Sequence, residues 1–133
     1  MVLMMDRTNI SNPALLEFAT YDDFFPYYVG QHSRSATRWV HFVGTHLGAA
    51  TGVAGIATRT PRLLALAPVI SYGMAWFSHF AIERNRPATF GHPLWSIRGD
   101  VQMIAMMWQG RDAELSRTAS DARRLTVQPG EAA

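Results

Sequence analysis

The chain has 133 residues, five histidines and no cysteine, and all 12 of its basic residues are arginine. That length suits one domain with one core, and the missing cysteines exclude disulfides, thiolate metal sites and cysteine nucleophiles. The formal charge of +2 is mild, and scattered arginines without a basic stripe or interleaved aromatics argue against a nucleic-acid partner.

The first residues, MVLMMDRTN, lack the positive start and long apolar run of a signal peptide. Asn12-Pro13 is a helix-start pattern, a capping side chain followed by proline, and predicts a short helix over Ala14 to Ala19. Thr20-Tyr21-Asp22-Asp23 offers a second start, with two acids where the helix dipole favours them. That helix runs through Phe24, Phe25, Tyr27, Tyr28 and Val29, carries Pro26, and ends near Gly30. Its aromatics suit a membrane interface or packing on a helical core, and the two uses are compatible.

Two apolar runs follow, Trp39 to Thr58 and Leu63 to Ile82, each 20 residues long. A bilayer-spanning helix needs about 20, so a mean hydropathy close to zero averages over an expected membrane hairpin. Gly44, Gly48, Gly52 and Gly55 share one helical face of the first run. In water each would weaken a helix by roughly 1 kcal/mol, whereas in lipid such spacing lets two helices approach closely. His41, three residues before Gly44, lies on the same face and is expected to meet the partner helix. Thr58-Arg59-Thr60-Pro61-Arg62 is the turn, and Pro68 and Gly73 in the second run are tolerated in membrane helices.

With Thr60 as the hairpin tip, His41 and His79 lie 19 residues to either side, which puts both imidazoles at one depth of an antiparallel pair. His46 is five residues nearer the tip, roughly 7 Å along the axis, and makes a poorer co-ligand. His79 and Glu83 are one turn apart and can face one object. The polar turn Arg84-Asn85-Arg86-Pro87 comes next. Leu94 to Gln109 predicts a third helix, which Arg98 and Asp100 make too short to span, so it is read as interfacial or packing. From Arg111 onward charged and small residues dominate, and a loose polar tail is expected. The organisation read from the chain is an N-terminal segment over 1–19, a membrane-embedded helical domain over 20–110 and a tail over 111–133. No internal repeat or low-complexity tract is present.

Ten arginines flank the hairpin and two lie in its turn, so both termini are expected in the cytoplasm. A break near Ser33–Ala36 would fold His32 back towards His41 and His79. Three neutral imidazoles, with or without a carboxylate, suit zinc, iron, copper or nickel; the plainer reading is a hydrogen-bonded polar cluster at the helix ends. His92, beside Pro93, reads as structural. Arg84 and Arg86 could clamp a carboxylate, because guanidinium forks match its geometry, or simply anchor the membrane edge. Nothing matches a Ser-His-Asp set, a P-loop or a dinucleotide fingerprint.

Two separated motifs, Tyr28-x3-His32-x8-His41-Phe42-x-Gly44-Thr45 and Gly73-x2-Trp76-x2-His79-Phe80-x2-Glu83-x3-Pro87-Ala88, resemble the 2-hydroxy fatty acid dioxygenase family over about residues 20 to 110. The resemblance implies an all-α integral-membrane protein, a helical hairpin with flanking interfacial helices in a small bundle. It implies Fe(II) as cofactor, and a 2-hydroxy fatty acid and O2 as reactants, the acid leaving one carbon shorter. The family's histidines map onto His32, His41 and His79, and the following acid onto Glu83. Thr37 stands where the family often has asparagine and His46 where it often has proline. The stretch Thr89-Phe90-x2-Pro93-Leu94-Trp95 is similar to a shorter branch of the family. In this reading His32, His41, His79 and Glu83 hold the metal, Glu83 and Arg86 act in catalysis, and Tyr28, Arg84 and Arg86 contact the substrate. Membrane lipid is the surrounding partner, and self-association is left open. The readings from other classes are a membrane scaffold or lipid-binding protein, and a haem carrier with two histidines as axial ligands.

Overall fold

The computed structural model describes residues 17–127, and within them every regular element is helical. The helix start at Asn12-Pro13 and residues 128–133 lie outside the described residues, while 17–20 are not helical. Five α-helices follow in order: α1 (Tyr21–Gly30), α2 (Ser35–Ala57), α3 (Pro61–Phe77), α4 (Pro93–Trp108) and α5 (Asp112–Val127). A π-helical turn, Ser78–Glu83, prolongs α3, and a 3₁₀ turn, Ala88–Phe90, leads into α4.

Helix α1 starts where the capping pattern predicts. The Thr20 hydroxyl accepts from the Asp23 amide at 3.2 Å, and Asp23 accepts in return from the Thr20 amide at 3.2 Å. Tyr21, Phe24 and Tyr28 recur at helical spacing and bury one face. That face packs against Met103, Met106 and Met107 of α4 and Leu115 and Ala119 of α5.

Helix α5 corrects the expected tail over Asp112–Val127. It is a regular helix, with Asp112 and Glu114 in the first turn, where negative charge is favoured. Leu115 and Ala119 are fully buried, and Ala122 approaches Gly30 so closely that a Cβ at Gly30 would stand 3.3 Å from its methyl group.

The α2–α3 hairpin is built the other way round. Its seam is made of small residues: a Cβ on Gly48 would overlap the Ser71 hydroxyl and stand 2.8 Å from the Ala67 carbonyl oxygen. Gly44 meets Met74, and Gly55 meets Leu64, with the same tightness. The connection is short, with Arg59 at φ 52°. Large apolar side chains point outward instead, among them Leu47, Val53, Ile56, Val69 and Phe77, and α3 has no buried residue at all. Of the two apolar runs, only the one carried by Pro61–Glu83 is long and apolar enough to cross a membrane by length and composition.

Candidate metal centre

The three elements that meet at the wide end of the hairpin each deliver one imidazole. His32 sits in the turn between α1 and α2, His41 on the second turn of α2, and His79 in the π-helical turn. All three are buried, and one potential ligand atom from each lies within 4.8 Å of the others. His41 and His79 bring their Nε2 atoms to 3.3 Å. The His32 ring stands 4.6 Å from that of His41 and 4.5 Å from that of His79, nearly perpendicular to both.

Each Nδ1 faces a polar group behind its ring, at hydrogen-bond distance for His32 and His79. His32 donates Nδ1–H to the Tyr28 carbonyl at 2.7 Å, since a carbonyl can only accept. His79 faces the Asn85 Oδ1 at 2.8 Å. The orientation of that amide is set by its nitrogen, which donates to both the Gln31 carbonyl and the Gln31 side chain. His41 Nδ1 lies 3.5 Å from the Asp100 carboxylate, which also accepts the Tyr28 hydroxyl. With the proton on Nδ1 in each ring, as the Tyr28 carbonyl requires of His32, the Nε2 lone pairs turn towards one another.

The three rings form a donor set that could hold an ion at its centre. His32 Nε2 is buried with no hydrogen-bond partner, a state that costs about 1–3 kcal/mol when nothing compensates. At 3.3 Å the Nε2 atoms of His41 and His79 either share one proton as a hydrogen bond or, with Nδ1 protonated in both rings, leave two lone pairs that repel unless a cation lies between them. Nitrogens about 2.0–2.1 Å from a common ion stand roughly 3 Å apart, so the donor set fits a metal that accepts imidazole ligands, such as zinc, copper, nickel or iron. The carbonyl, amide and carboxylate behind the rings are the partners that orient metal-binding histidines. Burial, reinforced by His41 and His79, holds the His32 imidazole well below its ordinary 6.5, so it remains a neutral ligand at pH 7. Two axial haem ligands stand about 4 Å apart on opposite sides of a flat macrocycle, and a cluster of three crowded rings offers no such slot.

Glu83 is not brought to the imidazoles. Its carboxylate accepts from the Arg34 amide at 2.6 Å, the Ser33 hydroxyl at 2.9 Å and the Thr37 hydroxyl at 3.0 Å. It thereby caps the start of α2, where Arg34 offers no side-chain cap of its own. The physical reason lies in the π-helical turn, whose i→i+5 pattern re-phases the chain, followed by Arg84 in the left-handed region at φ 60°. The Asn85 amide bonds back to the His79 carbonyl at 3.0 Å, and the backing of His79 falls to Asn85 rather than to the acid. Arg84 and Arg86 are exposed and line neither the cavity beside His41 nor the cleft beside Arg34. Tyr28 is fully buried, with its carbonyl on His32 and its hydroxyl on Asp100, and burial beside Asp100 keeps that phenol well above its ordinary 10.0. His46 hydrogen-bonds the Phe42 carbonyl and the Trp108 indole, and His92 stacks on Trp95.

Asp100, Asn85 and Arg38 were missed by sequence reasoning. Arg38 is fully buried, and its guanidinium donates to the His32 carbonyl at 2.9 Å, to Asp112 at 2.7 Å and to the Ser116 hydroxyl at 2.6 Å. Helix α5 thus fixes the turn that carries His32. A cavity of about 510 Å³ opens beside the site between α2, α3 and α4, with His41 and Asp100 in its wall. A second cleft, of about 600 Å³, is lined by Ser33 and Arg34 and by Ser116, Ser120, Arg123 and Arg124 of α5.

A family model described as 2-hydroxy-palmitic acid dioxygenase Mpo1-like matches residues 18–112, a span that takes in all three histidines with Asn85 and Asp100. No curated protein and no solved structure matches the chain.

Proposed function

The chain belongs to the Mpo1-like family, and from that premise we propose that it is a membrane-embedded, iron-dependent dioxygenase that shortens a 2-hydroxy fatty acid by one carbon. The observation that carries the reading is the meeting of three buried Nε2 atoms, each with its Nδ1 facing a polar group behind the ring. The family description supplies the substrate class and the type of reaction. Iron(II) held by three imidazoles would supply one-electron chemistry towards O2, which a closed-shell acid cannot provide alone.

The chain's own residues do the rest. Tyr28, Asn85 and Asp100 keep the three rings turned inward. Asp100, between His41 and the Tyr28 hydroxyl, holds the proton on His41 Nδ1 so that Nε2 stays free. Glu83 fastens the π-helical turn to the start of α2 and so keeps His79 beside His41. It is a positioning residue in this account. Arg84 and Arg86, exposed directly after that turn, attract the substrate carboxylate to this end of the molecule by long-range charge rather than by a buried clamp.

The apolar exterior of α2 and α3 sits in the bilayer, with the Arg59/Arg62 tip at one face and the site near the other. The arginine bias puts both termini in the cytoplasm. A test is incubation of iron-loaded protein with a 2-hydroxy fatty acid and O2. The expected product is the acid one carbon shorter, formed with O2 consumption and lost in His41→Ala. A full complement of metal with no chain shortening would contradict the reading and favour a metal-binding membrane scaffold.

A further inference from the structure

The 510 Å³ cavity is within the roughly 300–1,000 Å³ range of small-molecule sites, and its residues are ordered along an axis. His41, Thr45 and Gly48 recur on one face of α2, and Ala67, Ser71 and Ala75 on one face of α3. Helix α4 closes the third side from Ile97 to Trp108. One end is marked by His41 and Asp100, 3.5 Å apart. The other lies under Trp108, which donates to His46 at 2.9 Å and packs on Phe42. Eight residues of α4 separate Asp100 from Trp108, about 12 Å of helix.

The chemistry changes along that length. At the first end stand an imidazole of the candidate metal centre and a carboxylate. Beyond them the wall is mostly small or apolar side chains, with the hydroxyls of Thr45 and Tyr72 among them, and the Ser71 hydroxyl is already donated to the Gly44 carbonyl. Ile97 and Val101 line the cavity and are themselves exposed, at 47% and 66%. The cavity therefore opens along the apolar exterior of the molecule. Resting on the dioxygenase reading above, we propose that this cavity is the acyl-chain site: the substrate enters sideways from the lipid, sets its hydroxyl-bearing carbon beside His41, and lays its tail towards Trp108. The small side chain of Ala105 leaves the room, and Trp108 limits the chain length.

The experiment is photolabelling of the full chain in nanodiscs with a 2-hydroxy fatty acid that carries a diazirine at its ω end. It is run both metal-free and iron-loaded, and labelled peptides are mapped by mass spectrometry. The expected labels fall on Ile104–Trp108 and around Ala67, and unlabelled 2-hydroxy acid competes them away. Ala105→Phe should lower labelling by long-chain probes at least about tenfold, the scale on which a pocket discriminates methylenes, while a short-chain probe still labels and metal content is unchanged. Labels spread over Val43, Leu47 and Val69, or displaced equally well by phospholipid, would overturn the proposal. Competed labelling of the cavity in a protein with no turnover keeps the acyl site and removes the dioxygenase reading. Turnover with no labelling of the cavity, and with chain-length preference unchanged in Ala105→Phe, removes the acyl site alone.

Discussion

The region around α1 and α5 and the α2–α3 hairpin bury opposite kinds of residue. In the first, rings and long side chains (Phe24, Tyr28, Met103, Leu115) are fully inside, and Arg117, Asp121, Arg123 and Arg124 of α5 lie on its exposed face. In the second, glycines and serine lie inside, and Val53, Ile56, Val69 and Phe77 lie outside, each more than 60% exposed. The first pattern is what water enforces through apolar burial. The second is what packing selects when the surroundings are as apolar as the side chains themselves. The candidate metal centre lies where the two patterns meet, with His32 held by the α1–α5 region and His41 and His79 by the hairpin.

The comparison can be broken most forcefully from the hairpin side. Gly48→Leu drives a branched side chain into Ser71 and the Ala67 backbone, and overpacking of this kind exceeds the usual 1–3 kcal/mol. In detergent the thermal midpoint should fall by about 10 °C or more. Gly52→Ala, whose Cβ would meet only the Ala67 methyl at an ordinary 3.5 Å, should leave it nearly unchanged; equal midpoints for the two variants would mean that the seam does not pack. In the other region the sign of the rule reverses. Leu115→Ala opens a cavity and should cost about 2–5 kcal/mol, while Val69→Ala on the hairpin exterior stays within about 0.5 kcal/mol. Similar losses for both would erase the distinction between the buried core and the apolar exterior of the hairpin.

A smaller effect concerns the link between the regions. The hydrogen bond from Arg38 holds the Asp112 carboxyl below its ordinary 3.8. Because the folded value is the lower one, this contribution is complete above pH 3.8 and disappears as pH falls through the folded value. Asp112→Asn should lower stability near neutrality by about 1–3 kcal/mol and flatten the acid limb of a plot of thermal midpoint against pH. An unchanged acid limb would show that the Arg38–Asp112 contact does not couple α5 to the site. The smallest change expected is His92→Ala, which removes a ring stacked on Trp95 and outside the imidazole cluster and should leave metal content within experimental error.

Much of this arrangement was legible in the chain because it is local or symmetric. The Thr20–Asp23 start, the glycine face and the equal distances of His41 and His79 from the turn are periodic or countable features, and each has its counterpart in the structure. Helix α5 had a readable signal too: Leu115, Ala119 and Ala122 recur at helical spacing, but the surrounding charges made the segment look like a tail. Four-residue spacing from His79 to Glu83 presumes an α-helix; the π-helical turn with Arg84 at positive φ instead sets Asn85 behind His79 and Glu83 at the start of α2. Asp100 and Arg38 act across α4 and α5, through contacts between segments far apart in sequence that no spacing rule records.

The central claim is that three imidazoles, joined by neither Glu83 nor His92, hold one metal ion. Elemental analysis of anaerobically purified protein tests it most directly, comparing the wild type with His32→Ala, His41→Ala, His79→Ala, Asn85→Ala and Glu83→Gln. The account predicts near-stoichiometric metal in the wild type and its loss in each histidine variant. Asn85→Ala should weaken binding about 10–100-fold, as loss of an orienting partner does, and Glu83→Gln should retain most of the metal. Near-stoichiometric metal in both His41→Ala and His79→Ala would contradict the account.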